Sequence, residues 1–236
     1  MSKYILMVQF NKGCDPLQIV TSVVEEWKLS QRPELLVFTK SGPGIMPTPE
    51  MLEDRLTFPP HRDGYVAIRL RTKRGPKADG IESYFTDPTW NYGDNPANYL
   101  EATFSEESIN AGSMPYSRAS LSRLLKTLVT QPFATGGYVE NETIKFLPTI
   151  QAMDRTHQQD LSLKGWTQPV YWLTYLPKVT EKGRQLLAKH DIEILEEVPR
   201  GGVIITTGDY PPFDLDKHAQ RAIQAGLIAE KAINLT

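Results

Sequence analysis

Val170-Tyr-Trp-Leu-Thr-Tyr-Leu176, ended by Pro177 and followed by Thr180–Lys189, Ile192–Val198, Arg200-Gly-Gly202 and Val203–Thr207, is the stretch that decides the fold. Its first seven residues are apolar, aromatic or β-branched without a break, as in a buried strand, and proline closes them. Thr180 can cap the helix that follows. Leu186 and Leu187 give that helix an apolar side, and Lys189-His190 suits its negative end. The next two strand-like runs are joined by Arg200-Gly-Gly202, a hairpin turn whose glycines supply positive φ. Asp214 or Asp216 then opens a last helix that buries Ala219, Ala222, Ile223, Leu227 and Ile228. A strand, a helix, a hairpin and a helix do not make the strict alternation of a parallel sheet. They predict an α+β fold, a largely antiparallel sheet with helices packed on one face.

The first half follows the same order. Tyr4–Phe10 reads as an opening strand, and the polar pair Asn11-Lys12 argues against a lipoprotein signal leading to Cys14. Asp15 and Pro16 open a helix carrying Leu17, Val20, Val23, Val24 and Trp27. Leu35–Phe38 is a second strand, and a helical turn fits Glu50–Leu56. Tyr65–Arg71 and Ile81–Thr86 flank a turn at Lys73–Gly80, and Ala97–Phe104 is a further strand. Ser117 or Ser120 caps a helix with Leu121, Leu124, Leu125 and Leu128, and Thr135–Glu140 is the next strand. Strand, helix, strand, strand, helix in both halves leaves room for a weak internal duplication. The 236 residues form a single domain, 1–236, or two lobes, 1–132 and 133–236, that share one core.

Composition narrows the function classes. With 40% hydrophobic and 23% charged residues, the chain is neither disordered, collagen-like nor a long coiled coil. A net charge of −2 is not that of a dedicated nucleic-acid binder, so no direct nucleic-acid partner is expected. No run approaches the ~18 apolar residues of a membrane span, and no membrane partner is expected. Cys14 is the sole cysteine, which precludes an intrachain disulfide and suits a cytoplasmic location.

The patterns of catalysis are weak. Asp154-Arg-Thr-His157-Gln-Gln-Asp160 would align three ligand types on one side of a helix, but Arg155 among them better suits a solvated surface. Cys14 lies where a strand turns into a helix, with no nucleophile signature around it. Ser41-Gly-Pro-Gly44 lacks the Gly-Lys-Ser/Thr ending of a phosphate-binding loop. The expectation is therefore no enzyme, no catalytic residue, no metal and no cofactor. The alternatives are an enzyme with a cryptic site at Cys14 or at Asp154, His157 and Asp160, and a homo-oligomeric structural protein.

Charge along the chain is more informative than its sum. Between Lys77 and Arg118, forty residues hold no lysine, arginine or histidine. They hold seven acids: Asp79, Glu82, Asp87, Asp94, Glu101, Glu106 and Glu107. The same window carries seven of the 22 aromatic residues, among them Tyr84, Phe85, Tyr99 and Phe104 on strand-like runs and Trp90 and Tyr92 on a loop. Rigid aromatics ringed by carboxylates suit recognition of a basic protein surface. Asp87, Trp90, Tyr92, Asp94, Glu106 and Glu107 are the candidate partner-binding residues. Arg69–Lys77, with five cations in nine residues, reads as an exposed hairpin end that can pair with the acids after it.

Gly165-Trp166, Pro169–Pro177, the short helix after it, Ile192–Val198 and Gly201-Gly-Val-Ile-Ile-Thr-Thr207 resemble immunity proteins of bacterial polymorphic-toxin systems, specifically immunity family fifty-two, which includes type VI secretion immunity proteins. The likeness covers about seventy residues of tryptophan, proline and paired-glycine pattern. It implies a cytosolic protein that is not an enzyme and that binds and silences a cognate toxin, a nuclease effector of restriction-endonuclease fold. It transfers no binding residues, and it leaves Trp166, Trp172, Pro177 and Gly201-Gly202 as structural positions.

Overall fold

A computed structural model describes residues 3–10, 18, 19, 22, 25, 26, 36–38, 65–72, 80–86, 98–105, 118–132, 134–145, 147, 150, 169–208 and 214–235. Among them, nine strands form one sheet: β1 Lys3–Phe10, β2 Leu36–Phe38, β3 Tyr65–Thr72, β4 Gly80–Thr86, β5 Asn98–Ser105, β6 Ala134–Asn141, β7 Leu173–Leu176, β8 Glu193–Val198 and β9 Gly202–Thr206. Their order is β2-β3-β4-β5-β1-β6-β7-β9-β8. Every neighbouring pair is antiparallel. The helices are α1 Arg118–Val129, α2 Glu142–Lys145, α3 Glu181–Lys189 and α4 Leu215–Asn234. Gln18, Ile19, Ser22, Glu25 and Glu26 are also helical. The protein is α+β with an antiparallel sheet.

The central strand β1 distinguishes the two faces of the sheet. Tyr4, Leu6, Val8 and Phe10 are all buried on the first face, whereas Lys3, Met7 and Gln9 on the second keep some exposure. α1 covers the first face. Its Leu125 and Val129 come so close to Gly137 of β6 that a Cβ there would stand 2.8 Å from Leu125 Cδ1. Lys126 of α1 also reaches Glu196 of β8 at 2.9 Å. The early helical residues lie beside α1: Glu26 pairs with Arg123 at 3.4 Å, and Ser22 Oγ accepts from Gln131 Nε2 at 3.1 Å.

α3 and α4 cover the second face instead. Leu176, Val203 and Ile205 pack there with Leu187 of α3 and with Ala225, Ala229 and Ala232 of α4. Helices therefore stand on both faces and not on the single face the sequence suggests, and chain geometry supplies the reason. β2 runs parallel to β1 and β8 runs parallel to β7, so each pair is joined by a helical crossover. The two crossovers leave the middle of the sheet in opposite lateral directions from strands of the same sense. Crossovers of one hand then place their helices on opposite faces.

Local sequence features set the element ends. Thr180 Oγ1 accepts from Gly183 N at 3.2 Å as the cap of α3, and donates to Leu235 O at 2.8 Å. Asp214, and not Asp216, caps α4 by accepting from Lys217 N at 3.2 Å. Ser120 lies inside α1 and is not its cap, and Ser117 falls outside the described residues. In the β8–β9 hairpin, positive φ falls on Arg200 (70°) and Gly201 (82°), while Gly202 is extended in β9. Leu227 is 51% exposed. The buried side of α4 is a run of small residues, Ala222, Ala225, Gly226, Ala229 and Ala232, that lets the helix approach α3 closely.

Candidate functional site

β-Pairing brings the strand-borne acids of the forty-residue window together. Glu101 of β5 lies opposite Met7 of β1 on one side and Glu82 of β4 on the other. Glu82 in turn lies opposite Arg69, and Met7 opposite Tyr138. One register step away, Tyr99 lies between Tyr84 and Gln9. These positions belong to the second face, where Met7, Tyr99, Glu101, Thr103 and Tyr138 are half-buried and Gln9 is exposed. Like charges directly opposite on adjacent strands are destabilising, so the Glu82–Glu101 register is costly unless a cation answers it. Arg69 stands in register on the far side of Glu82.

The window's aromatic residues divide accordingly. Phe104 is in backbone register with Tyr4, which is fully buried, whereas Tyr99 is in register with exposed Gln9 and stays half-buried. Asp87, Trp90, Tyr92, Asp94, Glu106 and Glu107 lie outside the described residues, as do Cys14, Asp154, His157, Asp160 and Trp166. The strand between the two acidic groups is described. β5 is eight residues long, so the segment entering it and the segment leaving it attach about 24 Å apart.

A second constellation is buried. Glu140 of β6 lies opposite Ile5 on the second face, and its side chain has no exposure. Its Oε2 lies 3.0 Å from His218 Nε2, in the first turn of α4, and accepts from Trp172 N at 3.1 Å. Its Oε1 accepts from Asn141 N. The carboxylate thus replaces a strand partner for Trp172 N–H, and Val170 N–H turns to Ala222 O of α4 at 3.0 Å. This explains why β7 begins at Leu173, although the apolar run starts at Val170. Trp172 is fully buried with its ring edge-on to Tyr4, 5.8 Å between centroids, a structural position as expected.

A carboxylate orienting an imidazole is an arrangement found in acid–base catalysis. Here the His218 side chain is only 4% exposed. Tyr171, Ala219 and Ala222 pack with Ile144 and Ile150 in the cluster beside it. The pair ties the start of α4 to the sheet. Nothing local in the sequence signals the pair, because its members stand 78 residues apart and share no motif. Among the described residues no group of three histidine, cysteine or acidic side chains could hold a metal ion. None of the described helices is long and apolar enough to cross a membrane. Comparison with known proteins finds no matching family model, no matching curated protein and no matching solved structure.

Proposed function

We propose that the chain is an immunity-type protein. It binds and neutralises a toxin that presents a cationic surface, in keeping with the resemblance to immunity family fifty-two. The partner this implies is a nuclease effector of type VI secretion, silenced in the cytoplasm by protein–protein contact with no catalysis, metal or cofactor from the chain. A nuclease needs positive charge to hold the phosphate backbone, and a carboxylate-bearing surface can occupy that charge.

The observation that carries the reading is the glutamate register at the middle of the sheet. Two acids stand opposite each other on adjacent strands, on the face where Tyr99 and Glu101 keep part of their surface in solvent. Asp87, Trp90, Tyr92, Asp94, Glu106 and Glu107 extend the same acidic, aromatic character at either end of β5 in the chain. Co-expression with the product of the adjacent gene tests the proposal. Rescue from toxicity together with co-purification is expected, and a toxic neighbour that is neither rescued nor retained would refute it.

A further inference from the structure

We infer that a cleft on the flank of α4 is a binding site for a nucleoside monophosphate, a site separate from the acidic surface. The cleft has a volume of about 390 Å³ and lies between α4 and the turn that joins α3 to β8. That is within the range of small-molecule sites, roughly 300–1,000 Å³.

Its lining is graded along the helix. Lys217 and Arg221, one turn apart, stand at the end nearer the start of α4, and His190 of the α3–β8 turn also lines the cleft. Buried Ala225 and half-buried Ile228 stand at the other end of the helical stretch, and buried Ile192 also lines the cleft. The eleven steps from Lys217 to Ile228 rise about 16 Å, enough for a phosphate at one end and a flat ring at the other.

Each part of such a ligand meets suitable chemistry. Lys217 has a side chain 85% exposed and, among the described residues, pairs within its own turn with Asp214 at 3.4 Å. Such an exposed pair holds a lysine weakly, so Lys217 is available to a phosphate. Arg221 is positioned by the backbone, since its Nη2 donates to Asp191 O at 2.9 Å. Asp191 takes a left-handed conformation, φ 55°, at this turn. It is the one acid among the lining residues, and in a site otherwise suited to anions a carboxylate suits sugar hydroxyls, which donate to it. Gln220 and Gln224, both exposed, offer paired donors and acceptors to the edge of a base.

Calorimetric titration of the full chain with adenosine monophosphate, adenosine and inorganic phosphate is the test. Adenosine monophosphate is expected to bind at least tenfold more tightly than either fragment. Lys217→Glu and Arg221→Gln should each weaken it at least tenfold, and Lys178→Glu, an exposed charge reversal elsewhere, should leave it unchanged. Lys217 is too exposed for its replacement to unfold the chain, so its result stands whatever Arg221→Gln does to the turn. No binding, phosphate binding as well as the nucleotide, or an unaffected Lys217→Glu variant would each overturn the proposal.

Discussion

Truncating the buried carboxylate, Glu140→Ala, strikes three partners at once. It removes the acceptor of Trp172 N–H and of Asn141 N–H and leaves His218 facing a void. A buried donor left without its acceptor costs about 1–3 kcal/mol, and removing one member of a buried pair about 3–5 kcal/mol in all. Set against a typical domain stability of about 5–15 kcal/mol, that is a large fraction. With a urea dependence of about 3 kcal/mol per molar, the unfolding midpoint should fall by about 1–1.7 M. His218→Ala should cost about 2–4 kcal/mol, because the carboxylate keeps its two backbone donors. Glu140→Ala/His218→Ala should then cost less than the two single changes together, by about 1.5 kcal/mol or more. Urea titrations followed by circular dichroism at a fixed pH measure all three variants. Costs that add within about 0.5 kcal/mol would show that the pair does not couple α4 to the sheet, and the structural reading of it would fail.

Three further outcomes follow from packing and charge. Gly183→Ala should lower the melting temperature despite alanine's better helix propensity, since its Cβ would stand 2.3 Å from Ala232 O; a higher melting temperature would contradict the close α3–α4 contact. Burial pushes the Tyr175 phenol above its usual range, partly offset by Arg200. A raised pKa stabilises the fold fully below the unfolded value of 10.0 and loses that contribution as pH rises through the folded value, so Tyr175→Phe should flatten the alkaline loss of stability in melts above pH 10. The hydrogen bond from the backbone N–H of Lys217, with the Lys217 side chain beside it, holds the Asp214 carboxyl below its usual range. That contribution is present above the unfolded value and is lost as pH falls through the depressed one, so wild type should lose helicity on acidification below about pH 4 more steeply than Asp214→Asn.

Strand and helix positions were legible wherever local chemistry rules. Thr180 caps α3 and the apolar run of Tyr4–Phe10 forms β1, because capping and a continuous hydrophobic run are short-range properties. The start of β7 was not legible. Val170 and Trp172 look like strand residues, but their N–H groups are taken by Ala222 and Glu140, which come from distant parts of the chain. The division of helices between faces was hidden for a related reason. It depends on β1 and β7 sending their crossovers in opposite directions, and the lateral order of strands leaves no trace in periodicity. Leu227 stays exposed, contrary to the spacing, because helical spacing fits two neighbouring stripes and the one made of alanines packs closer. The acidic window was visible as composition. Which of its members share a face needed the register that sets Glu82 against Glu101 and Tyr84 against Tyr99.

The most direct test of the proposed toxin-binding surface is the association rate with the purified product of the adjacent gene, measured across a range of salt concentrations. Wild type is compared with a variant carrying Glu101→Lys and charge reversals at Asp87, Asp94, Glu106 and Glu107, its sheet verified by circular dichroism. Electrostatic steering predicts a wild-type rate that falls steeply with salt, and a variant at least tenfold slower at low salt with a nearly flat dependence. Equal rates and equal salt dependence in the two proteins would contradict recognition through the acidic, tyrosine-bearing surface.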